Sequence, residues 1–317
     1  MQTTKTQPAK RLPSHKKGKG FWTKLWSQRA LFLMLIPGLA FYLVFRYGPM
    51  YGLNIAFKDY SPFLGVEASP WIGIKQFERL FANKDFWQMF WNTLRVGVLS
   101  LIIGFPAPII FALILNEIRK PGVKKVYQTV SYLPHFLSVV IVCSIFLDLF
   151  SVGGVINKIV VALGGTAINF AMEPEWYDLI YQSSAIWASI GSGSIVYLAA
   201  LSGVDQQLYE AAEIDGCSRL KMIWKITLPC ILPTVVTMFL LQVGNVIRIA
   251  PDKTLLLYQP STMNVADIIG TYVYRVGITM RSYSYAAAVG LFESVLAAVI
   301  LFITNRIAKW KTGTSLW

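Results

Sequence analysis

The chain has 317 residues, of which 55% are apolar and only 14% charged, and its mean hydropathy is +0.52. So few charges cannot solvate the surface of a globular protein of this size, which excludes a water-soluble domain and points to an all-α, polytopic membrane protein. The formal charge of +13 does not indicate nucleic acid, because the basic residues are not grouped with interleaved aromatics on a soluble domain.

In chain order, residues 1–29 carry eight Lys and Arg and no acid. Such a tail before an apolar run resists translocation and is expected on the cytoplasmic side. No small-residue cleavage site follows the run, so it reads as a retained anchor. A hydrocarbon core of roughly 30 Å needs about 20 helical residues, and six segments qualify. Span 1 starts at Ala30 and runs past Arg46, which is expected to snorkel. Span 2, at 96–116, contains Pro106 and Pro108 and should be kinked. Span 3 is expected at 126–147, with Pro134 and His135 inside it, and span 4 at 179–204.

The charged stretch between spans 4 and 5 carries stop and start signals. Asp205 can cap a helix, Gly216 can end it in the left-handed conformation, Ser218 can cap a second short helix, and Pro229 suits the first turn of the next span. The result is a helix, a glycine elbow and a helix on one membrane face. Span 5 follows at 229–247, and span 6, at 283–305, holds one acid, Glu293. Before span 6, Val265, Ile268, Ile269, Tyr272, Val273 and Val276 recur at helical spacing, an amphipathic helix expected to pack on the protein's own bundle. The domains are then a basic tail (1–29), a six-span domain (30–305) with its loop at 205–229, and a C-terminal tail (306–317). Alternating the loops puts eighteen Lys and Arg inside and ten outside, with Arg95 at an outer mouth. Both termini are therefore expected in the cytoplasm.

No G-x-x-x-x-G-K-[ST] occurs, so the chain has no P-loop of its own. No D-D or H-x-x-x-H cluster suggests a catalytic residue or a metal site, and Cys143, Cys217 and Cys230 form no paired spacing and are read as structural. Arg95, Asp148 and Arg248 are expected to snorkel or pair locally, whereas Glu293 is either a helix contact or part of a pathway. A secondary transporter of a small polar solute is the alternative reading, and ATP dependence discriminates it.

The loop places Glu210, Ala211, Ala212, Asp215, Gly216, Ile226, Leu228 and Pro229 in the pattern E-A-A-x-x-D-G followed by I-x-L-P. It resembles the EAA loop of bacterial ABC importer permeases. Four further stretches, PGLAFYLVFRYGPMYG, GFPAPIIFALILNE, TVSYLPHFLSVV and LLLYQPSTMNVADIIGTYVYRVG, extend the resemblance to the sugar-importer class, in particular its LplB-like branch and more distantly the MalF-type permeases. The resemblance implies a type I importer fold in the bacterial cytoplasmic membrane. It also implies a carbohydrate substrate, a second permease subunit in a heterodimer, an extracytoplasmic solute-binding lipoprotein and two ATPase subunits. ATP and Mg would sit on those partners, with no cofactor on this chain. Residues 206–215 would then be a lever seated in the ATPase. Counting outward from the loop, as the MalF-type resemblance suggests, gives Trp187, Ser189, Ser192, Gly244, Asn245 and Arg248 as sugar-facing positions, with Ala185 and Arg248 where amides are expected.

Overall fold

The computed structural model describes residues 28–317, so the basic tail lies almost wholly outside the described residues. The described residues separate into two units, one ending at Leu53 and the other Asn54–Trp317. Among the described residues there are helices and no strand beyond an isolated bridge between Lys58 and Trp71. Six helical runs among them are long and apolar enough to cross a membrane: Arg29–Phe57, Lys84–Glu117, Val139–Ala162, Pro174–Ser202, Arg219–Val243 and Tyr283–Thr312. The all-α, six-span expectation is met. In the first unit, α1 (Arg29–Tyr42) buries no residue. It is apolar on every side, as a helix surrounded by hydrocarbon must be.

Three prolines enter these runs through one repeated device. A proline has no N–H to donate, and its ring collides with the carbonyl four residues back. The π turns Leu43–Tyr47, Ser100–Gly104 and Ile223–Thr227 each end two residues before a proline, namely Pro49, Pro106 and Pro229. In each, the intervening residue (Gly48, Phe105 or Leu228) donates to the carbonyl five residues back. The extra residue loosens the backbone where the ring would clash. So α2 (Lys84–Leu99) and α3 (Pro106–Glu117) continue through their π turn as one segment. Span 5 likewise begins at Arg219 as a continuous run, ten residues before the expected start, while Pro229 stands in the first turn of the α-helix Leu228–Val243 that follows the π turn.

Span 3 needs correction. α4 (Pro121–Tyr132) passes into a 3₁₀ turn at Leu133–Phe136, Leu137 is extended, and α5 (Val139–Phe150) starts afresh. Pro134 weakens the first helix, and Ser138 restarts the second by accepting the Ile141 N–H at 3.3 Å. The expected helix at 126–147 is therefore two.

α6 (Tyr177–Ser202) is the central element, packed along α3 and against α4, α5 and α8 (Leu228–Val243); α7 (Gln206–Ile214) lies between α6 and α8 in the chain. In hydrocarbon, helices associate through close packing and not through water expulsion, so small residues decide where they touch. A Cβ on Gly191 would stand 2.1 Å from the Ser131 carbonyl oxygen, so α6 and α4 meet backbone to backbone there. Buried clusters form around Phe146, Tyr177 and Tyr181, around Phe86, Tyr285 and Val289, and around Ala112, Tyr197 and Ile231.

After α8 come α9 (Pro251–Leu257), α10 (Met263–Ala266), α11 (Ile269–Tyr274) and α12 (Tyr283–Thr312). The amphipathic run at 265–276 is thus broken at Asp267–Ile268 and is not one helix. Its apolar side does pack on the bundle, with Ile268, Ile269, Tyr272 and Val276 buried. α12 overruns the expected end at 305 and takes Arg306, Lys309 and Lys311 with it, stopping at Gly313, where φ is +69°. The tail at 306–317 is mostly helix.

Candidate functional site

Local chemistry builds the hairpin after α6. The Asp205 carboxylate accepts the Gln207 N–H at 2.9 Å, starting α7. The end of α7 is closed by two backbone bonds, Cys217 N–H to the Ala212 carbonyl (2.9 Å) and Gly216 N–H to the Glu213 carbonyl (3.1 Å). This Schellman closure requires a residue at ease with positive φ, and Gly216 sits at +70°. Ser218 occupies the cap position of Arg219–Met222, but its hydroxyl makes no capping bond. It is exposed, so water can serve the orphan donors instead.

A hydroxyl pair, Tyr209 to Thr227 at 2.9 Å, ties α7 to the base of span 5. Arg219 approaches Glu117 at 3.8 Å, and both are exposed. Of the motif residues, Glu210, Ala211, Asp215, Gly216 and Pro229 are exposed and Ala212, Ile226 and Leu228 half-buried. Among the described residues Glu210 makes no ion pair. Ile214, Leu220 and Trp224 are 87%, 73% and 72% exposed, an apolar surface beside the acids.

Deeper in the bundle, a cavity of about 280 Å³ opens between the Ser100–Gly104 turn, α3, α6 and α8. Ser189 and Ser192, two of the sugar-facing candidates, line it. Their hydroxyls donate to carbonyls of their own helix, Ala185 at 2.7 Å and Ser189 at 3.2 Å, leaving oxygen lone pairs to accept. Gln182, Ser100 and Gln242 line it too and were not anticipated. Gln182 is held firmly, its Oε1 accepting from Ser100 (3.1 Å) and its Nε2 donating to the Val96 carbonyl (3.0 Å). It supplies, one turn earlier, the amide that Ala185 cannot.

Helical arithmetic sorts the rest of α6. Residues 182, 185, 189, 192 and 193 share one face, whereas position 187 falls nearly opposite Ser189. Trp187 accordingly lies away from the cavity, with its ring 5.8 Å from that of Phe146. The structure does not bring the span 5 candidates to this cavity either. A Cβ added at Gly244 would meet the Leu301 side chain at 3.6 Å, and Asn245 returns its amide to the Leu241 carbonyl (3.2 Å). Arg248 lines a different, largely apolar cavity of about 610 Å³ that reaches Glu293. Arg95 pairs locally, with Asp178 at 3.1 Å and the Val265 carbonyl at 2.6 Å. Among the described residues no cluster of His, Cys, Asp and Glu could hold a metal, and the cysteines are free.

Comparisons with known proteins show the family. Residues 104–312, from the end of the first cavity-lining π turn to the end of α12, match the binding-protein-dependent transport system inner membrane component family. Protein LplB of Bacillus subtilis (strain 168) is 44% identical over 294 residues, 92% of each chain. The polygalacturonan/rhamnogalacturonan transport system permease protein YteP of the same strain is 43% identical over 294 residues, with the same coverage. A chain of the crystal structure of a bacterial ABC transporter involved in import of the acidic polysaccharide alginate superposes with a TM-score of 0.84 at 40% identity, covering 93% of this chain and 100% of that one. With six apolar runs and this match across two thirds of its length, the chain is a multi-pass membrane protein that belongs to the binding-protein-dependent inner membrane components, the permease subunits of ABC importers.

Proposed function

We propose that this chain forms one wall of the translocation pathway of an oligosaccharide importer and couples it to a separate ATPase through the hairpin at 205–229. The observation that carries the reading is a helix closed at its start by the Asp205 carboxylate and at its end by backbone bonds around Gly216, yet largely exposed, with Glu210, Asp215 and Ile214 turned outward. Such an element keeps its shape when seated in a partner's cleft. ATP and Mg belong on that partner, since this chain has no P-loop, and closure of two ATPase subunits would move α7 as a lever on spans 4 and 5, which it joins. Both termini then lie in the cytoplasm.

Carbohydrate as cargo is supported by the relatives' names, which include arabinooligosaccharide and lactose permeases besides YteP. It is supported as well by the amide and hydroxyl groups converging on an otherwise apolar cavity, a combination that suits sugar hydroxyls and C–H faces. At about 280 Å³ the cavity is below the roughly 300–1,000 Å³ of complete ligand sites, which suits one wall of a pathway shared with a second, different permease. The alginate transporter was also solved with a pentasaccharide-bound periplasmic protein, and an extracytoplasmic binding lipoprotein is the corresponding partner here.

Reconstitution of this chain with those partners in vesicles tests the reading. ATP-dependent uptake of an oligosaccharide is expected, with no uptake when the ATPase is omitted. Unchanged uptake without ATPase would make the chain a secondary transporter.

A further inference from the structure

We propose that Lys253 and His135 form an anion subsite beside the pathway that receives the carboxylate of an acidic sugar. This rests on the oligosaccharide reading above and narrows its substrate class. A second cavity, of about 320 Å³, lies between the Leu133–Phe136 turn, α5, α6 and α9. Its wall shares Ala185 and Ser189 with the first cavity, so a single ridge of α6 separates the two. Lys253, His135 and Ser184 bring polar groups to it, and most of the remaining lining is apolar.

The Lys253 ammonium donates to the Tyr181 carbonyl at 2.6 Å and stands 4.1 Å from the centroid of the Tyr181 ring. Those contacts use one of three N–H donors and the weak attraction of a ring face. Among the described residues the ion pairs are Arg95–Asp178, Arg219–Glu117 and Arg275–Asp267, so no carboxylate lies within 4.0 Å of Lys253. Burial lowers its pKa to about 8, with the nearby Cys143 opposing, which leaves it mostly protonated at neutral pH. A half-buried cation with spare donors and no counter-ion is unfavourable until an anion arrives. Val139, in the first turn of α5, lies on the same wall, so the dipole of that helix reinforces a potential that Lys253 already makes positive. A carboxylate meets this chemistry: the ammonium takes the charge, the imidazole adds a hydrogen bond, and the sugar ring is left against Ser189 on the shared ridge.

The test uses the complete transporter in phosphatidylcholine vesicles, with acidic trisaccharides of galacturonate, mannuronate and guluronate set against their carboxyl-reduced, neutral counterparts. At least one acidic probe is expected to be taken up by the wild type. Lys253→Gln should lower that uptake by about tenfold or more, the scale of one charged hydrogen bond, with Lys253→Arg close to wild type. His135→Gln, at an exposed position, should lower it a few-fold and keeps the test open if Lys253→Gln fails to assemble. Neutral probes, where transported, should be indifferent to all three changes. Equal loss for acidic and neutral probes would make Lys253 a prop under Tyr181 and overturn the subsite, as would no loss at all. Wild-type uptake of neutral probes alone overturns the subsite while leaving the oligosaccharide reading standing; uptake of neither kind overturns both. A Lys253→Gln effect that appears only when phosphatidylglycerol is added would assign the cation to a lipid phosphate and overturn the sugar carboxylate.

Discussion

The hairpin at 205–227 and the segment at 251–285 are similar in role within the chain, since each links two spans, but they are held by opposite means. In the hairpin, the fastening is an aspartate cap, two backbone bonds around Gly216 and the Tyr209–Thr227 hydroxyl pair, and most side chains face outward. In the other segment, Asp267 grips Arg275 at 2.5 Å and accepts the Thr271 hydroxyl at 2.6 Å, and the Thr93 hydroxyl of α2 accepts the Ile269 N–H at 2.9 Å. Asn83 donates to the Tyr272 hydroxyl at 2.9 Å, which in turn donates to Tyr285 at 3.2 Å. The Asp267 carboxylate holds the Arg275 guanidinium above its usual pKa, and burial pushes the Tyr272 phenol up. A locally closed element can be moved or seated elsewhere without losing its shape. An element closed by the bundle cannot move unless the bundle does.

Substitutions should therefore separate into losses of assembly and losses of coupling. The largest effect is expected from Asp267→Ala, which strands a partly buried guanidinium and frees Thr271; breaking such a pair costs about 3–5 kcal/mol. Thermal unfolding of the purified complex should move down sharply, and an unchanged midpoint would erase the contrast between the two regions. Next is Gly216→Val. Nothing lies within 4 Å of its Cβ position, so the penalty is the left-handed backbone alone, about 1–2 kcal/mol. The complex should still assemble and melt nearly as before while substrate-stimulated ATP hydrolysis disappears, and Gly216→Asn should restore much of it. Retained stimulation in the valine variant would refute the lever. Tyr209→Phe removes one hydrogen bond, about 1 kcal/mol, and should weaken coupling a few-fold with no change in uptake affinity. Arg219→Ala should do least, because an exposed ion pair is worth under about 1 kcal/mol; a loss as large as that at Gly216 would show that the hairpin is not closed locally.

The same division explains what could be read before any coordinates. Asp205 and Gly216 act on their immediate neighbours, so the start and end of α7 are legible in the residues themselves. The six runs are legible because their lengths answer to the bilayer. The break at Asp267–Ile268 is not, because it depends on Thr93 and Arg275, distant in sequence or across a turn, and helical spacing alone argues for one continuous helix. The break in span 3 is legible too, since Pro134 followed by Ser138 is a stop and a start in order. In the cavity, Ser189 and Ser192 are legible by residue type, but position 187 falls on the opposite face of the helix, which residue type alone does not reveal. Gln182, Ser100 and Gln242 converge from three helices, and no spacing along the chain announces that meeting.

The π turns ahead of Pro49, Pro106 and Pro229 also set the rotational phase of the helices that follow them. Each inserts a residue that an unbroken α-helix would lack, and one residue is about 100° of rotation. Everything downstream is re-aimed by that angle, so the prolines serve as phase markers that decide which stripe of α3 or α8 looks inward. Deleting one residue from Ser100–Gly104 would leave composition and length almost untouched yet swing Pro108 away from Gly193, whose Cβ position it now meets at 3.0 Å.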